Sequence, residues 1–275
     1  MTTDATSARA RLPAHMQALP EPRTPTVVVA PPSATPPLLA DLPHWEPAHG
    51  AAALADAFAA CGLVLLRGIT SPAAFRDAAT TLGTIYQHPH ATASGLTHVH
   101  CTVPDRDRAT AAAHNELGLT NTALTPHTDR AGMAEPPARM AFWLESQPGI
   151  GGVSTFVDGH RLIEELSAHD PAAVAALSRP GSVVFKSEAG LSEGSILTAR
   201  ADRFLLRFRF DHLVYLAPDV AERMPRVIAL IHQLTQKRAL RAGEGYVLDN
   251  HRWLHGRTHF VGARSAYRLL LAVPA

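Results

Sequence analysis

Hydrophobic positions change their spacing several times along this chain, and each change marks an element. The alanine-rich run from Ala51 to Ala60 favours a helix that stops near Gly62, and the continuous apolar stretch Leu63 to Leu66 then reads as a buried strand. Helical spacing returns over Ala73 to Leu82, Arg161 to Ala168 and Val220 to Leu234. Between Leu119 and Asp129 the chain is expected to enter a sheet. Met140 to Leu144, after the Pro136-Pro137 turn, predicts a core strand. From Phe204 to Phe210 the alternation predicts a strand with Arg207 and Arg209 on one face, and Gly245 to Asp249, Leu254 to Phe260 and Tyr267 to Val273 predict three more. Many short strands with a few packed helices describe a mainly β domain with flanking helices, and no internal repeat interrupts it.

Composition narrows this picture. A chain of 275 residues and 29.4 kDa is long enough for one large core. Residues 1–43, rich in Pro, Ala and Thr, predict a poorly ordered tail or extended strap, which leaves 44–275 as the folded domain. Twenty-five basic against 24 acidic residues give a formal charge of +1, so nothing in the overall charge recommends nucleic acid or an anionic membrane as partner. No segment reaches membrane-spanning length, and the N-terminal stretch does not read as a secretory leader. Only Cys61 and Cys101 occur; two thiols make no disulfide framework, and neither has a base or metal-ligand neighbour in sequence. A cytoplasmic setting is expected.

The candidate chemistry lies in His127-Thr128-Asp129 and in Asp249 to Arg257, followed by Arg264 and Arg268. On a strand, residues two apart share a face, so His127 and Asp129 can reach one ion while Thr128 points away. A third imidazole from a distant strand completes a two-His, one-carboxylate face that leaves positions open for a co-substrate and O2, as a non-heme iron(II) oxygenase requires. His251, His255 and His259 are spaced four apart and spacing alone does not choose among them. Zinc hydrolases use the same ligand types to activate water. The arginines separate the two readings, because a chelating oxo-acid carries a second carboxylate that a guanidinium can clamp. Arg264 and Arg268 lie four apart, so both can point into a barrel, where each needs an anion. Asp249 and Asn250 are expected to fix the preceding turn by side-chain to backbone hydrogen bonds.

These pieces, with Gly62 to Gly68 before them and Gly151-Gly152-Val153-Ser154-Thr155-Phe156 between, resemble the taurine dioxygenase and clavaminate synthase-like branch of the Fe(II)/2-oxoglutarate-dependent oxygenases, in the same order and over most of the chain. The resemblance implies a double-stranded β-helix, or jelly roll, with Fe(II) as metal and 2-oxoglutarate and O2 as co-substrates. It selects His255, in His255-Gly256-Arg257, as third ligand beside His127 and Asp129. Arg264 aligns with the clamp on the far carboxylate of 2-oxoglutarate, helped by Ser154, which stands where the family usually has Thr. Arg268 aligns with a position that holds a substrate carboxylate in some amino-acid hydroxylases. A slip of strand register would exchange the two arginines. Asp211 falls where some relatives bind an amino group, and Arg130 follows the ligand pair directly; both are substrate candidates, with Met133, Arg207 and Arg209 weaker ones. Halogenating relatives replace the ligand carboxylate, so Asp129 favours hydroxylation of a C–H bond in a small polar substrate such as an amino acid, with desaturation or ring formation open. A zinc hydrolase and a non-catalytic small-acid-binding barrel are the rival classes.

Overall fold

A computed structural model describes residues 39–101, 117–147, 149–187, 190–200 and 203–273; the side chains of residues 101 and 117 lie outside that description. Most of the expected tail, residues 1–38, is likewise outside it. Leu39 and Leu42 are buried in the core, so the packed chain begins ahead of residue 44.

The first helix, Gly50–Cys61, ends where Gly62 takes a left-handed φ of 68° and returns its N–H to the Phe58 carbonyl at 2.7 Å. Strand Leu63–Leu66 follows, and its alternation explains why all four residues are apolar. Val64 and Leu66 pack outward under the helices Gly50–Cys61 and Pro72–Thr80, while Leu63 and Leu65 pack inward with Phe156 and Trp253. Strand Arg139–Ser146 divides in the same way, with Ala141 and Trp143 outward and Met140, Phe142 and Leu144 inward. Both strands belong to a seven-stranded sheet in which Arg139–Ser146 pairs antiparallel with Gly245–Asp249 and Arg264–Ala272.

A second, four-stranded sheet runs Gln236–Arg238, Ser154–Asp158, Trp253–Arg257, Leu124–His127. Phe156 and Trp253 face the large sheet; Val157 and Leu254 face outward into a cluster with the helices Gly159–His169, Pro171–Ser178 and Pro218–Leu234. The molecule is therefore mostly strand, two sheets face to face with helices outside, and no helix among the described residues is long and apolar enough to cross a membrane.

One helix, Pro171–Ser178, is not among the expected elements; it buries Ala173, Val174, Ala176 and Leu177 and so carries no single-face period. Two expectations shift in detail. The final strand begins at Arg264, not Tyr267, so both arginines lie on it. Only Phe204–Leu206 of the expected 204–210 strand forms. Beyond it, Phe208 exchanges hydrogen bonds with Thr128, and Arg207, stacked over Phe185, donates to the carbonyls of Ser195 and Met133. Arg207 and Arg209 therefore share no functional face. Cys61 is buried and free, its thiol on the Leu63 carbonyl.

Candidate metal centre

Strand phase decides which side chains meet between the sheets. On Trp253–Arg257, His255 and Arg257 are in phase with inward Trp253, and on Ser154–Asp158, Ser154 is in phase with inward Phe156. Arg264 and Arg268 are in phase with inward Ala266 and Leu270 on the opposing sheet. All five line one cavity of about 870 Å3, a size suited to a small ligand. Arg130 and Asp211 line it too.

His127 and His255 lie directly opposite on adjacent antiparallel strands, with ring centroids 4.6 Å apart. The strand ends at His127, so Asp129 arrives from the following turn and not by strand alternation. One ligand atom from each of His127, Asp129 and His255 lies within 4.8 Å of the other two. His127 Nδ1 sits 2.8 Å from the Thr125 carbonyl, which fixes the ring and leaves Nε2 for a metal. Asp129 Oδ2 is buried with no hydrogen-bond partner among the described residues. Burial, then the neighbouring His127, pushes His255 down to about 3, so this imidazole is neutral and its lone pair available. Burial pushes the Asp129 carboxyl up, but Arg268 and the surrounding imidazoles outweigh it and hold the group at about 2. Two neutral imidazoles and a carboxylate with an orphaned oxygen fit a divalent metal. His251 sits on the Pro136 carbonyl at 3.0 Å and His259 is exposed, so neither joins this cluster.

Asn250 holds Asp129 in place, a role its sequence position did not reveal. Fully buried, it accepts from the Asp129 N–H at 2.7 Å and donates to the Asp129 and Pro137 carbonyls, each at 2.9 Å. Asp249, as expected, caps the turn by accepting from the His251 N–H at 2.8 Å. Gly256 has no room for a side chain, since a Cβ would collide with the Leu124 carbonyl. Arg257 points to the carbonyls of Gly118, Thr120 and Thr122, tying down the segment that leads into the ligand strand. Asn250→Ala is expected to strip three buried hydrogen bonds, lower the melting temperature, and weaken metal binding by about 10- to 100-fold. Calorimetric titration with iron(II) under anaerobic conditions checks it.

The two inward arginines differ. Arg264 is 4 % exposed, stacks over Phe142 and Phe260, and has no hydrogen-bond or ionic partner among the described residues; burial pushes its guanidinium down. Such a group needs an anion. Arg268 donates to Asp129 Oδ1 at 2.9 Å and lies 3.5 Å from His88, while its buried Nε is unpartnered. Asp211 is held by Arg209, whose Nη2 lies 2.6 Å from Oδ2.

Residues 30–272 match the family model described as "Taurine catabolism dioxygenase TauD, TfdA family". The chain belongs to the TauD/TfdA dioxygenase family. It is accordingly an Fe(II)- and 2-oxoglutarate-dependent dioxygenase. Among curated proteins none matches it by sequence. Solved structures share the fold of this dioxygenase. An asparagine oxygenase in complex with Fe(II), 2S,3S-3-hydroxyasparagine and succinate superposes with a TM-score of 0.62 at 16% identity, covering 82% of this chain and 80% of that one. The non-heme iron oxygenase OrfP in complex with Fe and alpha-ketoglutaric acid gives 0.64 at 14% identity, covering 83% and 80%. PvcB from Pseudomonas aeruginosa gives 0.59 at 18% identity, covering 87% and 84%.

Proposed function

We propose that this dioxygenase hydroxylates a C–H bond of a small polar substrate, an amino acid or close derivative, inside a double-stranded β-helix closed by the two facing sheets. The observation that carries the reading is the juxtaposition, in one cavity, of the His127, Asp129 and His255 cluster with the unmatched Arg264. His127, Asp129 and His255 would hold Fe(II), and Arg264 with Ser154 would hold the far carboxylate of 2-oxoglutarate. A zinc hydrolase gives Arg264 no role. The chemistry supplied by bound iron(II) is activation of O2 coupled to decarboxylation of 2-oxoglutarate to succinate. The protein's own residues bind, orient and exclude water around the target carbon.

Similar structures carry hydroxylated asparagine and arginine, which supports an amino-acid substrate. In this reading Arg268 turns its unused Nε toward the substrate carboxylate, and Asp211 shares its carboxylate between Arg209 and the substrate amino group. Nucleic acid is not the partner, and the setting is cytoplasmic. Arg268→Ala and Asp211→Ala are expected to raise the substrate KM or uncouple succinate from product, while the 2-oxoglutarate requirement changes little. The reading is tested by incubating the iron-loaded enzyme with 2-oxoglutarate and a panel of amino acids. Succinate release matched by a product one oxygen heavier supports it; a preferred substrate without an amino or a carboxylate group overturns the amino-acid assignment.

A further inference from the structure

Six basic side chains, Arg130, Lys186, Arg209, Arg257, Arg264 and Arg268, line the cavity among the described residues, against the two carboxylates Asp129 and Asp211. Arg209 pairs with Asp211, Arg257 with three backbone carbonyls, and Arg268 with Asp129. Arg264 awaits the far carboxylate of the co-substrate. Arg130 has no such match. It follows Asp129 directly and is, among the described residues, the one non-glycine residue with positive φ, at 58°. Side chains rarely adopt that backbone conformation, and where they do the surroundings enforce it, often at a ligand site. Its Nε is buried without a hydrogen-bond partner, and no described carboxylate pairs with its guanidinium. Arg268 Nη2 lies 3.5 Å from the buried His88, and Arg130 and His88 line the same cavity as Arg268.

Charge balance then sets what the substrate must bring. An iron(II) ion is matched by Asp129 and the chelating carboxylate of 2-oxoglutarate, so Asp129 no longer neutralises Arg268 fully. A neutral zwitterion supplies one carboxylate for Arg268 and adds an ammonium at the already neutral Arg209–Asp211 pair. Arg130 is still unmatched, and exposed Lys186 adds to the positive field. We propose that the substrate is an α-amino acid with an acidic side chain, its α-carboxylate meeting Arg268 and its side-chain carboxylate meeting Arg130. This deepens, and rests on, the amino-acid reading above.

The test is calorimetric titration of the oxygen-free enzyme, loaded with iron(II) and 2-oxoglutarate, with L-aspartate, L-asparagine, L-glutamate and L-glutamine. At least one acid is expected to bind at least about tenfold tighter than its own amide, a difference of about 1.4 kcal/mol. Arg130→Met should erase that difference and Arg130→Lys should keep part of it. Amides binding as tightly as the acids, or discrimination surviving in Arg130→Met, overturns the inference while the amino-acid reading stands. Binding of none of the four also overturns it, and the aerobic succinate screen with neutral and basic amino acids then decides the broader reading separately.

Discussion

Replacing any one of His127, Asp129 and His255 by alanine is expected to take bound iron from about one ion per chain to near zero and to cut succinate release by at least about a hundredfold. The reason is geometric. Three atoms preset within 4.8 Å of one another form one face of a metal site, and two alone lose both affinity and the open positions opposite. The three variants should differ in stability. His127→Ala gives up the 2.8 Å contact with the Thr125 carbonyl and His255→Ala removes a ring whose Nδ1 has no hydrogen-bond partner among the described residues, so both should melt nearer the parent than Asp129→Ala, which leaves Arg268 without its 2.9 Å partner. His251→Ala is the control, because His251 is spent on the Pro136 carbonyl and should leave the iron content unchanged. Elemental analysis and succinate assay read all four; normal iron in His255→Ala would move the third ligand elsewhere.

The second large effect is expected at Arg264. Arg264→Lys keeps a positive charge but loses the planar two-point grip on a carboxylate, and the shorter ammonium head also gives up the stacking over Phe142 and Phe260. The 2-oxoglutarate concentration for half-maximal succinate release should rise on the order of a hundredfold. Ser154→Ala removes about one hydrogen bond to a charged group and should act more mildly, at roughly 1.5 kcal/mol, or about tenfold. Steady-state titration of 2-oxoglutarate measures both. If Arg264→Lys is silent and Arg268→Lys raises the requirement, the two arginines exchange roles.

Much of this site was legible in the sequence because short-range rules generated it. The apolar run Leu63 to Leu66 and the period of Met140 to Leu144 located strands of the large sheet, and Gly62 marked the helix end because a left-handed residue was needed there. The spacing of Arg264 and Arg268 placed both on one inward face. What spacing could not give was long-range. His127 and Asp129 looked like strand neighbours, yet Asp129 is set by Asn250, 121 residues away, through a clamp on its backbone. The choice of His255 over His251 and His259 depends on which of three evenly spaced imidazoles faces His127 across the sheet, which periodicity cannot see. Arg207 and Arg209 alternated as on a strand, but the strand ends at Leu206, and Arg207 is spent on the Ser195 and Met133 carbonyls, partners distant in sequence that alternation does not reveal. The pairing of Arg268 with Asp129, 139 residues away, likewise appears only once the sheets close.

The central claim is that His127, Asp129, His255 and Arg264 form one iron(II)- and 2-oxoglutarate-dependent centre. Its most direct test is succinate formation from 2-oxoglutarate by the metal-stripped protein as iron(II) is added back in air. Succinate should be absent without metal, rise until about one iron(II) per chain is bound, and stay absent with zinc(II) or without O2. Succinate released without iron, or hydrolytic turnover supported by zinc(II), would contradict the account.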